Sequence, residues 1–302
     1  MKPASIIFLI VSLILVILGF VTTSVAMNLA PEDEKPVVEI QDKDVGYTAA
    51  PIGIKGVEKI ELKLTDANVN IIGGAEIPRV ELINFPEGLY SAPSPENKQT
   101  FTVTDLSDFN SVSGIAAIAS NFKGLRSFVN YFKLAKYEKT VNIYLSADYP
   151  VNVISCNLES GNVRIENCVG SADYNITLVS GDVTVSNVDT TSSLTVNIST
   201  GNLNLEEGDI TNLNAVIGTG SVALDANITK ADVTIVTGNM ICACPGSFDM
   251  VSGSLRTTDG KITIDGIPFG AQKSNLTVGE KSMDVTIEKG DIDITSGSAA
   301  IE

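Results

Sequence analysis

Apolar and polar residues alternate through much of this chain, and the alternation restarts at a recurring signal. The copies are Ser160-Gly161-Asn162-Val163, Ser180-Gly181-Asp182-Val183, Thr200-Gly201-Asn202-Leu203, Thr219-Gly220-Ser221-Val222, Thr237-Gly238-Asn239-Met240 and Ser252-Gly253-Ser254-Leu255. They follow one another at intervals of 15 to 20 residues. Measured from each glycine, the flanking positions fall into apolar columns. Three before stand Leu158, Leu178, Ile198, Ile217, Ile235 and Met250; five before stand Cys156, Ile176, Val196, Ala215, Val233 and Phe248. Two after stand Val163, Val183, Leu203, Val222, Met240 and Leu255.

A period of two on both sides of a glycine predicts strand, tight turn, strand, with alternate side chains pointing inward. The glycine suits a turn with positive φ, which a Cβ would penalise. The predicted turn glycines are Gly161, Gly181, Gly201, Gly220, Gly238 and Gly253, with Gly290 closing a late copy formed by Met283, Val285, Ile287, Ile292 and Ile294. One unit of about 20 residues cannot bury its apolar side alone, whereas stacked units share a continuous core. A row of independent hairpins would also alternate, but the recurrence of the same inward columns favours stacking. The fold class predicted is therefore all-β, a β-solenoid of about 18–20-residue coils.

The array extends backwards. Residues 60–71 alternate in the same way, with Ala67 in the glycine slot, and Arg79 to Phe85 predicts a further strand. The coils near Ala67 and Gly290 are expected to bracket the array. Thr258 to Glu280 is irregular, with Gly266, Pro268 and Gly270 suggesting a loop, and 296–302 reads as a frayed tail. An insert at 86–140 breaks the pattern, with Pro86, Pro93 and Pro95 marking a loop and Thr100 to Thr104 suggesting a short strand. Within it Ile115, Ile118, Phe122, Leu125, Val129 and Phe132 recur at helical spacing, among Lys123, Arg126, Lys133, Lys136 and Lys139. That predicts a basic amphipathic helix, docked by its apolar side on the solenoid or touching an anionic membrane or polymer.

The N-terminus has a different period. Residues 4–27 form an uncharged apolar run with Lys2 before it and Glu32, Asp33 and Glu34 after it. Its length spans a bilayer, and the flanking charges place the N-terminus inside and the remainder outside. A signal peptide cleaved near Ser24-Val25-Ala26 is the alternative, giving a secreted protein. The domains expected are a transmembrane anchor at 1–27, an acidic linker at 28–56 and the solenoid at 57–295.

The repeats at Gly161 to Gly253, the strand pair at 60–71 and the strand Thr140 to Leu145 resemble a family of membrane-anchored bacterial and archaeal proteins called "putative adhesins". Their β-strand-repeat domain has no assigned activity. The resemblance covers about residues 57–295, and the basic insert departs from it. It implies a cell-envelope location and a non-enzymatic role. An envelope glycan or another envelope protein would then be the partner; a regulatory module of an envelope-stress or signalling system is the alternative.

Composition narrows the chemistry. A net charge of −16 disfavours nucleic acid as a partner. The chain has no histidine, which removes histidine-based catalysis and most catalytic zinc sites, and no tryptophan for stacking on sugars. No cofactor, metal site or catalytic residue is predicted. The outward carboxylates Glu166, Glu206 and Asp225 share one column with only Arg164 nearby, and no acid–base pair stands out for a polysaccharide-active enzyme. Calcium would find one carboxylate per turn at most, at Asp182.

Small polar residues fill two outward columns. One holds Ser155, Asn175, Thr195, Asn214 and Asp232; the other holds Asn157, Thr177, Asn197, Val216 and Thr234. They would either solvate the sheet or match a repeating polymer such as a glycan. Cys156 and Cys242 fall in inward columns, which favours buried thiols, although Cys156 and Cys168 flank one turn and would be close enough to bridge. Cys242 and Cys244 lie too close in sequence for a relaxed disulfide. Asn175, Asn197, Asn227 and Asn275 each begin an Asn-x-Ser/Thr triplet.

Overall fold

The computed structural model describes residues 51–85, 90–91, 99–105, 137–170, 172–245, 251–275 and 281–297. The anchor at 1–27 and the helix expected between 115 and 132 lie outside the described residues. All regular elements described are strands.

The repeats stack in parallel, residue on residue. Tyr174, Asn175 and Ile176 pair with Ile154, Ser155 and Cys156 on one side and with Leu194, Thr195 and Val196 on the other. After the turn, Val183 and Val185 pair with Val163 and Ile165 of the coil before and with Leu203 and Leu205 of the coil after. Each coil thus adds one strand to a first face before its turn and one to a second face after it. The inward columns close on a single core, in which Ile60, Leu62, Val69, Val185, Val196, Ile217, Val233 and Ile292 are all buried. The sheet is solenoid-like because both faces advance by one coil at a time, about 4.8 Å per step.

The coils do not stack in chain order at either end. Numbered along the chain, coil 1 is Lys59–Asp66 with Asn68–Ile72, coil 2 is Thr100–Asp105 with Thr140–Tyr144, and coil 3 is Val153–Ser160 with Val163–Glu166. Coil 1 pairs with coil 3 on one side and coil 2 on the other, so coil 2 is outermost. The short strand expected at Thr100 to Thr104 is therefore part of a coil of the stack rather than of an insert, with Phe101 and Val103 fully buried.

The far end repeats the device. Coil 7 ends with Met240–Pro245, coil 8 is Val251–Asp259 with Ile262–Ile264, and coil 9 is Lys281–Lys289 with Ile292–Gly297. Coil 9 lies between coils 7 and 8. The coils around Ala67 and Gly290 are thus not the outermost ones, which corrects the expectation.

This order moves one predicted turn glycine. Gly253 pairs with Met283 in mid-strand, and Leu255 pairs with Val285. The turn of coil 8 is at Gly260, which lies against Gly290. Thr257 takes the inward position three before it. Its hydroxyl donates to the Gly290 carbonyl at 2.8 Å, which satisfies a side chain only 2 % exposed.

Both ends are closed by antiparallel strands. Arg79–Ile83 covers coil 2 on the second face and Tyr90–Ser91 covers it on the first. Ile267–Phe269 and Gln272–Asn275 cover coil 8 in the same way. Short strands at the rim, one containing Pro268, blunt edges that would otherwise recruit another chain. Ile52–Gly53 pairs with Arg79–Ile83 and Ile54 is buried, so the fold begins before residue 57.

The turn itself explains the glycine. Gly201 has φ of 145°, and a Cβ built on it would lie 1.9 Å from the carbonyl oxygen of Gly181. The glycine amide donates onward, from Gly201 N to Thr219 O at 2.9 Å. The ladder therefore runs through the turn without a gap. Ala67 tolerates its Cβ because it sits at the start of this pile: it lacks a positive φ, and its own carbonyl is the one Gly161 approaches.

Cys156, Cys168 and Cys242 are buried, and Cys156 and Cys168 are free thiols. The bridge considered between Cys156 and Cys168 is not formed. Burial pushes the Cys156 thiol up to about 12 and Cys168 to about 11. Burial also raises Tyr174, with the neighbouring Cys168 adding to the effect.

Two outcomes follow from these positions. Gly201→Ala should destabilise the fold by at least ~1–3 kcal/mol from backbone strain alone, whereas Ala67→Gly should cost only about 0.5–1 kcal/mol. Denaturant midpoints measure both, and equal losses would contradict the stacked-turn geometry. In alkylation at pH 8, Cys156 and Cys168 should resist modification in the native protein, being protonated and buried, and react fully in denaturant. Rapid native labelling would contradict their placement.

Candidate functional site

With the interior filled by apolar side chains, polar chemistry is confined to outward columns and turns. On the first face, Ser155, Asn175, Thr195, Asn214 and Asp232 stand in register, one per coil. Asn157, Thr177, Asn197, Val216 and Thr234 do the same beside them. The columns continue into Glu61 and Lys63 at one end and Asp284 and Thr286 at the other. Exposed Val216 interrupts the second column, and exposed Val179 and Val236 stand in the next outward column beside it. Glu61 is held below the usual carboxylate range by its hydrogen bond to Lys59, 2.6 Å away.

The carboxylates considered for catalysis lie on the second face. Their column runs Glu166, Ser186, Glu206, Asp225, so Glu206 and Asp225 are neighbours and Glu166 is separated from them by a serine. Glu166 accepts from the Arg164 guanidinium, and Glu206 accepts from Asn204 Nδ2 at 2.6 Å. Among the described residues, no group of three or more acidic or cysteine side chains is placed to hold a metal ion.

The turns carry a feature that the spacing alone did not reveal. At most turns, the residue after the turn position bonds to the next coil through its side chain. Asn68 Oδ1 accepts from Asn162 N at 3.0 Å, Asn162 Oδ1 from Asp182 N at 2.9 Å, Asp182 Oδ1 from Asn202 N at 2.7 Å, and Asn202 Oδ1 from Ser221 N at 2.9 Å. The series resumes from Asn239 to Asp291 at 2.8 Å and from Asp291 to Lys261 at 2.9 Å. The short polar residue in the repeat is therefore a rung. Its signal was the preference for Asn and Asp after the glycine, which reads equally well as ordinary turn chemistry.

A recess of about 380 Å³ lies where this turn edge meets the second face, at the end near coil 1. Asn68, Asn162 and Asp182 line it from the turn column, Asn70, Arg164 and Thr184 from the next outward column, and Thr140 from coil 2. Asn70 Nδ2 donates to Asn142 Oδ1 at 2.9 Å at its margin. Close by on the same face, Arg79 stacks on Tyr144, 3.9 Å from the ring centre, and bonds Glu81 at 2.9 Å. Burial raises the Tyr144 hydroxyl, with Glu81 adding to the effect.

At the opposite corner, Asn167, Asn187 and Glu207 adopt left-handed conformations, and Asn187 Nδ2 donates to Asn167 Oδ1 at 2.7 Å. Of the Asn-x-Ser/Thr triplets, Asn175 and Asn197 stand exposed on the first face. Asn227 is engaged by Asp209 and by Lys281, whose Nζ donates to its Oδ1 at 2.6 Å.

Solved structures similar to this chain align with most of it at low identity. A "putative cell adhesion protein" from Clostridium sporogenes ATCC 15579 is 15% identical, with 83% of this chain and 99% of that chain covered at a TM-score of 0.38. A "putative adhesin" from Bacteroides fragilis NCTC 9343 is 14% identical, covering 83% and 96% at 0.43. A "putative lipid binding protein" from Parabacteroides distasonis ATCC 8503 is 10% identical, covering 83% and 96% at 0.31. No curated protein sequence matches the chain. A family model does match, over residues 57–265, more than half of the chain and most of the stacked coils. The chain belongs to the Toastrack DUF4097 family.

Proposed function

We propose that this is a non-enzymatic protein of the cell surface, held in the membrane by residues 4–27, whose solenoid presents its outer surface to an envelope polymer or a partner protein. The observation that carries the reading is the register of the outward polar columns. Ser155 through Asp232 repeat one polar side chain per coil on a rigid sheet. A surface with a fixed step is suited to a ligand that also repeats, and a fully packed core holds it without rearrangement.

The carboxylates support the non-enzymatic part of the reading. Hydrolysis of a glycosidic bond requires two carboxyl groups facing each other across the substrate. Glu166, Glu206 and Asp225 instead stand in one file, with Glu166 and Glu206 already bonded to neighbours on their own strands. The net charge of −16 further favours neutral or cationic partners over nucleic acid or other polyanions.

Protease treatment of intact cells should remove the solenoid and leave the anchor. The detergent-solubilised full chain should be retained on insoluble envelope material without releasing soluble fragments from it. Resistance to surface proteolysis, absence of retention, or steady release of reducing ends would contradict the proposal.

A further inference from the structure

We infer that the recess between the turn edge and the second face is a binding site for a neutral oligosaccharide. This rests on the reading of the protein as a surface that binds envelope polymer, and it names the place and the ligand class. The argument starts from the rungs. A backbone N–H can only donate, so the side-chain atom it meets must be an oxygen. The bonds from Asn162 N to Asn68 Oδ1 and from Asp182 N to Asn162 Oδ1 therefore fix which way each carboxamide lies. Both Nδ2 groups are left without a partner among the described residues. Two amide donors then stand one coil apart at the rim.

The next column adds complementary groups. The Nε of Arg164 is bonded to Glu166, which holds the guanidinium against the face and leaves its terminal nitrogens for a ligand. Asn70 spends its Nδ2 on Asn142, which leaves Asn70 Oδ1 as an acceptor. Thr140 and Thr184 contribute hydroxyls, and Asp182 retains one carboxylate oxygen beyond the one that accepts from Asn202. The result is several oriented donors, fewer acceptors and both signs of charge within one recess. Hydroxyl and acetamide groups, which donate and accept, satisfy such a set.

Charge argues for neutrality of the ligand. Arg164 is balanced by Glu166 and faces Asp182, and the whole chain is strongly acidic, so a polyanion would meet net repulsion. The recess has no aromatic side chain in its lining, so binding depends on hydrogen bonds rather than on ring stacking. A rung of this kind recurs beyond the recess at Asn202, which lets a longer chain run along the turn edge.

The test uses the full chain in detergent, a linear tetramer of β-1,4-linked N-acetylglucosamine, and polygalacturonate as the anionic comparison. Arg164→Ala and Thr184→Ala lie off the rungs, and an unchanged melting midpoint establishes that each variant is folded. Lys230→Ala, exposed and outside both the recess and the outward polar columns, is the control. The expected result is saturable binding of the neutral tetramer, weakened about ten-fold or more by Arg164→Ala, weakened by Thr184→Ala and unaffected by Lys230→Ala. Absence of tetramer binding overturns the site, as does binding indifferent to Arg164 and Thr184, or a preference for polygalacturonate. If the chain is still retained on envelope material in those cases, the broader reading stands and only this site falls.

Discussion

Each turn glycine in this protein lies beneath the carbonyl oxygen of the turn before it, too close for any side chain to intervene. At Gly238 an added Cβ would come within 1.6 Å of the Gly220 oxygen. That contact sets the vertical step between coils, and much else follows from it. Because the turns superpose, the strands on both sides superpose in register. Because the strands superpose, inward residues meet inward residues and the core is continuous. The asparagine and aspartate rungs then bond each turn to the next, which adds directional bonds to a stack otherwise held by burial and backbone pairing.

The same constraint decides where function can reside. A stack of this kind leaves no interior cleft between layers, because alternate positions are committed to the core. What remains is a set of outward files, each repeating once per coil, and the turn edge with its oriented amides. Chemistry that needs convergent groups from several elements is poorly served by such a surface. Recognition of an extended ligand, contacted repeatedly by similar groups, is well served. The antiparallel strands at both ends complete the design by covering edges that would otherwise pair with other chains.

Much of this was legible from the residues. The period-two columns from Ile154 to Ile294 and the turns from Gly161 to Gly238 follow from alternation and glycine spacing, and Ala67 was readable as an occupant of the same slot. Other features were hidden for physical reasons. Gly260 was masked because the inward position three before it is Thr257, a polar residue satisfied by a carbonyl of the neighbouring coil. Gly253 imitates the motif in mid-strand, where the Met283 backbone comes close. Phe101 and Val103 belong to the same apolar columns as Ile60 and Leu62, but a long segment separates them from Val141 and Ile143 in their own coil. Strand order at the ends is a property of pairing between distant residues, and local pattern carries no record of it. The recess was hidden for the same reason. Its linings from Asn68, Thr140, Asn162 and Asp182 are scattered in sequence and meet only when coils 1 to 3 and the coil that begins with Asp173–Ser180 are stacked.

The central claim is that one pile of glycine turns runs through the molecule in an order that departs from chain order. Backbone proton contacts between turns test it most directly. Nuclear Overhauser contacts should link Gly238 with Gly290 and Gly290 with Gly260, but not Gly238 with Gly260. A Gly238–Gly260 contact without the other two would mean that the coils stack in sequence order, and would contradict the account.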